Sequence, residues 1–380
     1  MKTTRYLTLC LLAVVMTVLT SCYRRPLEVL LNERVNVRIT VNWLTTVMGD
    51  VTKEDSVIAA KYYGGTPNGM TLMLWGMNTG ERFVESVNGN YIDVALKPDT
   101  YRLIIFNDRE DEFLPYQRLY DKDSYDNMTM RLTHYIPSRA YWSNDYIYYP
   151  DPVGVAVDTF QITDEMVARD SLIFAPYEDY VKGGVLQNTT LDSRSYEILE
   201  KATPMTVTLY MKCKVKNRES LQSIEASISG MSDGFYLSRV NRTQETGAIE
   251  LNSKAWEYYA VGDPGEALGV ITNKTATFGL PYGKELLSER NAADNILSLR
   301  ITLTNGDVQE YSFEVGKNIR YITPEGREAQ IRYREDLHDL QLEIDLQDVI
   351  VLPPLPSRGA GFDARVAEWE EGGTFDIGGF

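Results

Sequence analysis

Apolar and polar positions alternate with a period of two along much of this chain, the signature of strands that bury one face. Val35, Val37, Ile39, Val41 and Trp43 share a side, against Asn36, Arg38, Thr40 and Asn42. Residues 207–215 keep the same rhythm, with Val207, Leu209, Met211, Cys213 and Val215 on one face. So do Leu297, Leu299, Ile301 and Leu303, and later Leu340, Leu342, Ile344 and Leu346. Tyr101-Arg-Leu-Ile-Ile-Phe106 is a short apolar run rich in strand formers, introduced by the turn segment Lys97-Pro-Asp-Thr100. Asn305-Gly306 predicts a hairpin with a type I′ turn, returning through Tyr311, Phe313 and Val315. Only short helices are predicted, over 163–169 and 288–294. Short strands in succession, separated by turns and rich in tyrosine, predict an all-β chain of β-sandwiches rather than alternating βαβ units.

The chain has 380 residues, enough for two domains with cores of their own. A boundary is expected near Ala202-Thr203-Pro204, where a polar stretch gives way to the strand at 207–215. This sets an N-terminal domain at 28–200 and a C-terminal domain at 201–352. Val351-Leu-Pro-Pro-Leu-Pro356 then starts a tail, 353–380, rich in Gly, acids and isolated aromatics, of which the Pro-Pro-Leu-Pro segment is expected to be extended and stiff. No internal repeat with a fixed short period is visible.

The N-terminus follows a different logic. Lys2 and Arg5 precede a nearly unbroken apolar stretch from Leu7 to Leu19, which reads as a secretory signal peptide over 1–21. The stretch is short of the roughly 20 apolar residues that span a bilayer. Leu19-Thr20-Ser21-Cys22 resembles the bacterial lipobox, so Cys22 is the expected lipidation site and 22–27 a linker to the lipid anchor. Several acyl chains, at about 0.8 kcal/mol per buried CH₂, hold such a protein on a membrane. An envelope lipoprotein has no place among most cytosolic functions.

Charge and cysteine content narrow the field further. The formal net charge is −16, and becomes −18 once Lys2 and Arg5 are removed. There is no basic footprint for nucleic acid. With Cys10 lost in the signal and Cys22 lipidated, Cys213 stands alone and no intramolecular disulfide is expected. Its place on the inward face of a strand makes it a small core hydrophobe rather than a nucleophile.

Catalytic signals are weak. The only histidines, His134 and His338, lie in different predicted domains and lack partners at metal-ligand spacing, so both read as ordinary polar histidines. No hydrolase or phosphate-binding motif occurs, and neither a cofactor nor a metal is expected. Asp121-Lys-Asp-Ser-Tyr-Asp126 lacks the Gly and terminal Glu of an EF-hand loop and reads as solvated. A glycosidase needs two carboxylates at a set separation, but among 54 acids some pair meets it by chance. The densest aromatic stretch, 135–149, supplies Tyr135, Tyr141, Trp142, Tyr146, Tyr148 and Tyr149 as candidate binding residues. Flat rings suit binding surfaces, sugar faces included. The competing reading is that these rings close the edge of a sandwich.

The strand phrase Leu96-Lys-Pro-Asp-Thr-Tyr-Arg-Leu-Ile-Ile-Phe-Asn107 resembles one found in the fimbrillin-like lipoproteins of Bacteroidetes, with Asp99 where that family usually has Gly. Asp151-Pro152-Val153 followed by Phe160, and Gly361-Phe-Asp-Ala-Arg-Val-Ala-Glu-Trp369, are similar to other family stretches. The resemblance implies two transthyretin-like Greek-key β-sandwich domains in tandem with a C-terminal tail. It further implies a lipid anchor in the outer membrane and a role in type V pilus anchoring, assembly or adhesion. Its partners would be other pilus subunits joined by β-strand addition, or a host or glycan ligand. In the tail, Phe362, Ala364 and Val366 alternate as a donated or closing strand would. Tyr23-Arg24-Arg25-Pro26 lacks the acids that often follow the lipidated Cys of surface-exported lipoproteins, which leaves surface-exposed and periplasmic-facing placements both open. The alternative function is a glycan-binding surface lipoprotein.

Overall fold

The computed structural model describes residues 34–43, 67–109, 112–113, 115–137, 142–143, 145–167, 196–251, 256–260, 268–323, 327–329 and 340–355. These residues form an all-β protein of sandwiched sheets. In the N-terminal sandwich, one sheet orders Tyr196–Lys201, Val35–Asn42 and Tyr91–Leu96. The facing sheet orders Thr203–Pro204, Gly154–Ile162, Asp99–Asn107, Gly69–Gly76 and Arg82–Asn88. The alternation read from Val35 to Trp43 is realised: the odd positions are buried and the even ones half-exposed. On the outer face Arg38 sits directly opposite Asp93, holds it with two 2.7 Å hydrogen bonds and lies 4.2 Å from the Tyr91 ring centroid.

Asp99 has a structural reason to be there. Its carboxylate accepts from the backbone and side chain of both Asn78 and Thr79, and from the Thr100 amide, at 2.6–3.1 Å. It thereby ties the 76–80 turn to the start of the central strand. Burial opposes its charge, yet the donors from Thr79 and Asn78 hold its pKa well below the usual carboxylate range.

The C-terminal sandwich pairs two larger sheets. One runs Glu257–Ala260, Leu268–Thr277, Val207–Lys216, Gln341–Val351, Ile319–Ile322. The other runs Val308–Glu314, Ile296–Leu303, Leu221–Ser232, Thr246–Glu250, Tyr146–Ile147, His134–Tyr135. Cys213 is buried on the inward face, and burial pushes its thiol up to about 12, which makes it inert at ordinary pH.

Two local expectations are modified. The hairpin at Asn305-Gly306 exists, but its loop has four residues and only Gly306 takes a positive φ, of 87°. Asn305 instead uses its side chain, accepting from the Asp307 amide at 3.0 Å, so a type I′ turn is not needed. The helix predicted over 288–294 is two 3₁₀ turns, Leu287–Glu289 and Ala292–Asp294. A single helical turn at 164–167 is described from the other.

From Leu103 to Asn107 the strand Asp99–Asn107 is buried on both faces. Leu103 and Ile105 point into the N-terminal core, which they share with Val37, Leu72 and Ile92. Ile104 and Phe106 point the other way, into a core continuous with Met130, Phe235, Ile228 and Leu209. One strand therefore serves two cores.

Candidate functional site

After Asn107 the chain leaves the N-terminal sandwich, and it returns at Gly154. Both ends of this excursion are pinned by one buried side chain. Asn107 donates to the Pro152 carbonyl at 3.0 Å and accepts from the Gly154 amide at 2.7 Å. Between the pins, Gln117–Tyr120 pairs with Thr129–Leu132, which pairs with Gly234–Tyr236. His134–Tyr135 pairs with Tyr146–Ile147, which meets Thr246–Glu250 at Ala248. The excursion thus supplies strands to the C-terminal sheets. Its loop at 121–126 turns Asp123 and Asp126 toward the N-terminal sheet, where Arg82 bonds Asp123 and Arg102 lies 3.8 Å from Asp126. Tyr125 packs edge-on against Trp75 at 5.3 Å. Among the described residues no group of three His, Cys, Asp or Glu is arranged to hold a metal ion.

A groove of about 620 Å³ opens along this seam, lined by Tyr120, Asp121, Arg131, His134, Asp145, Asp233 and Glu245 among others. His134 is its central group. The imidazole Nδ1 lies 2.5 Å from Asp145 and Nε2 lies 3.3 Å from Asp233. Asp233 is almost fully buried, accepts from the Thr243 hydroxyl and lies 3.7 Å from Arg131, which is itself 3.6 Å from Glu245. Burial alone would lower the His134 pKa, but the hydrogen bonds to Asp145 and Asp233 outweigh it and the pKa is raised. From the sequence His134 reads as an ordinary polar histidine. Ninety-nine positions separate it from Asp233, and no spacing rule joins residues that far apart.

The aromatic stretch is placed next to the groove. Tyr148 stacks on Tyr116 on one face and on Tyr135 on the other, each at 4.3 Å, giving a column of three rings. Tyr146 is 1% exposed and belongs to the interior, while Trp142 and Tyr149 are half-buried. The surface part of the stretch is therefore a packed column with its neighbours rather than a row of free rings. Tyr141, Cys22, His338 and the tail residues Phe362, Ala364 and Val366 lie outside the described residues.

Together these observations define the class: an all-β protein of sandwiched sheets with a polar groove at the seam where a long excursion joins the second sandwich. Residues 60–252 match the family described as Domain of unknown function (DUF5119), and the chain belongs to that family. Among solved structures it is similar to a candidate adhesin from Bacteroides ovatus, with a TM-score of 0.49 at 15% identity, covering 88% of this chain and 98% of that one. It is also similar to the fimbrial anchor protein Mfa2 from Porphyromonas gingivalis, with a TM-score of 0.37 at 10% identity over 81% of this chain and 97% of that one. The tip fimbrial protein Mfa3 from Porphyromonas gingivalis, truncated at its C-terminus, gives a TM-score of 0.33 at 12% identity, covering 81% and 98%. No curated protein matches the sequence.

Proposed function

We propose that this chain is a non-catalytic, lipid-anchored protein of the bacterial outer membrane that acts in adhesion or fimbrial assembly by β-strand pairing with other subunits. The observation that carries the reading is the state of its sheet edges. Tyr196–Lys201 and Tyr91–Leu96 flank a three-stranded sheet with no further strand beyond them among the described residues. Leu199 projects from the first edge with 71% of its surface exposed. Among the described residues Gln341–Val351 is paired on its outer side only from Gln341 to Ile344. Open edges present rows of backbone donors and acceptors, which a soluble monomer normally blunts and an assembling subunit uses. The lipobox-like run ending at Cys22 supports anchorage.

The test is an immunoblot of native outer membranes, loaded without and with boiling. Strand-paired polymers resist cold detergent because the pairing strands unfold slowly. The expected result is a high-mass ladder that collapses on boiling and leaves the membrane fraction when Cys22 is replaced by Ala. A single monomeric band under both conditions would sink the assembly reading.

The second reading, a glycan-binding surface lipoprotein, is favoured by the groove itself. Tyr120, 46% exposed, adjoins Arg131, His134 and Asp145, and an aromatic face beside convergent polar groups is how sugar rings are held. Binding to a glycan panel, lost on Tyr120→Ala, would support it.

A further inference from the structure

We propose that His134 is a proton-operated staple that holds the excursion hairpin onto the C-terminal sandwich and that it lets go as the imidazolium loses its proton. A neutral imidazole has one N–H and one lone pair, whereas an imidazolium has two N–H donors. His134 faces a carboxylate at each ring nitrogen, Asp145 at 2.5 Å and Asp233 at 3.3 Å. Only the imidazolium satisfies both. In the neutral form one carboxylate meets a lone pair and that contact turns repulsive.

The three residues come from three places. His134 lies on its own short strand, Asp145 precedes the strand Tyr146–Ile147, and Asp233 sits between Leu221–Ser232 and Gly234–Tyr236. Both carboxylate residues also carry the backbone bonds of the seam. The Asp145 carbonyl accepts from Ala248 at 2.9 Å and the Asp233 carbonyl accepts from Leu132 at 2.7 Å. The imidazolium therefore ties together two residues whose backbones already hold the seam, and losing it leaves the seam to those backbone bonds.

The other charged groups facing the site are Arg131, Glu245 and Asp121. Arg131 spans Asp233 and Glu245 and keeps its charge throughout, so it partly compensates Asp233 when the imidazole is neutral. Among the described residues Asp145 has no such substitute in the groove, and its side is the one that opens. The folded-state pKa of His134 is raised. The staple is thus fully set below the ordinary histidine pKa and is lost as pH rises through the folded value. This inference stands whether the neighbouring surface engages a subunit or a sugar.

The chain has two histidines, so imidazole NMR of the full protein gives two titrating signals, and His134→Gln assigns them by removing one. The expected His134 midpoint lies above 6.5, and Asp145→Asn, at an exposed position, lowers it by about one pH unit. Amide exchange of peptides covering 129–135 and 145–149, corrected for intrinsic rates, is read one unit either side of the midpoint. Protection is expected to fall on the order of tenfold across it in the wild type, and not to change with pH in His134→Gln. A midpoint at or below 6.5, or one unmoved by Asp145→Asn, would overturn the two-carboxylate staple. Equal protection on both sides of the midpoint would overturn its link to the seam. If His134→Gln fails to fold, the Asp145→Asn comparison carries both readings alone.

Discussion

At the scale of single residues the sequence is most opaque where charge is buried. Glu200 lies on the inner side of an edge strand, 8% exposed, and burial together with the nearby Asp158 carboxylate raises its pKa to about 7. Alternation sets Glu200 on the face of Tyr196 and Ile198 and Glu197 on the other, but a glutamate at a strand end gives no sign of being buried. A carboxyl with a raised folded pKa stabilises the protein below its unfolded value, and that contribution is lost as pH rises through the folded one. A rise from 4.5 to about 7 corresponds to roughly 3 kcal/mol. Glu200→Gln keeps the shape and a donor for Asp158 but cannot ionise. Urea denaturation should therefore show the variant more stable than wild type by up to about 3 kcal/mol at pH 8 and level with it at pH 4.5. Equal stabilities at pH 8 would mean that water reaches Glu200 freely. Asp99 is the opposite case. Its departure from the family phrase was legible, but its five donor groups were not, because Asn78 and Thr79 reach it from another strand end.

Elements were legible in proportion to their length. Strands of eight to eleven residues such as Val35–Asn42, Val207–Lys216, Ile296–Leu303 and Gln341–Val351 repeat their alternation often enough to be read directly. Two-residue strands such as His134–Tyr135 and Tyr146–Ile147 contain no period at all, so in the sequence they read only as part of an aromatic stretch. Bulges hide in the same way. Leu221–Ser232 shifts register between Ile228 and Met231, and Gly230 sits in the kink with φ 73°. A Cβ there would stand 2.1 Å from the Asp294 carbonyl oxygen, while Asn295 clasps the bulge by donating to the Ser229 and Gly230 carbonyls. Gly306 also has a positive φ, but a Cβ on it would meet nothing within 4 Å. The two sites separate strain from collision. Gly306→Ala should cost about 1 kcal/mol from backbone strain alone. Gly230→Ala adds displacement of backbone and should cost more than about 2 kcal/mol, several degrees in melting temperature. Equal losses at the two positions would show that the bulge shifts without penalty.

For the whole molecule, the telling fact is that the central strand of the larger N-terminal sheet is buried on both faces from Leu103 to Asn107. Alternate residues of Asp99–Asn107 feed two cores, and Phe106, fully buried, lies in the one continuous with the C-terminal sandwich, 6.1 Å from Phe113. From sequence alone this run reads simply as apolar, because a strand buried on both faces loses the alternation that would say which way each residue points. The physical consequence is coupling. Removing the C-terminal sandwich would strip the partners of Ile104, Phe106 and Val155, and would unpair Thr129–Leu132 from Gly234–Tyr236. The described sandwiches should therefore melt together, as one calorimetric transition whose van't Hoff and calorimetric enthalpies agree. Phe106→Ala should cost about 3–5 kcal/mol as a core cavity and move that single transition down without splitting it. Two resolved transitions in the wild type, or a Phe106→Ala variant in which only part of the enthalpy shifts, would mean that the shared core is a contact between independent domains rather than a common foundation.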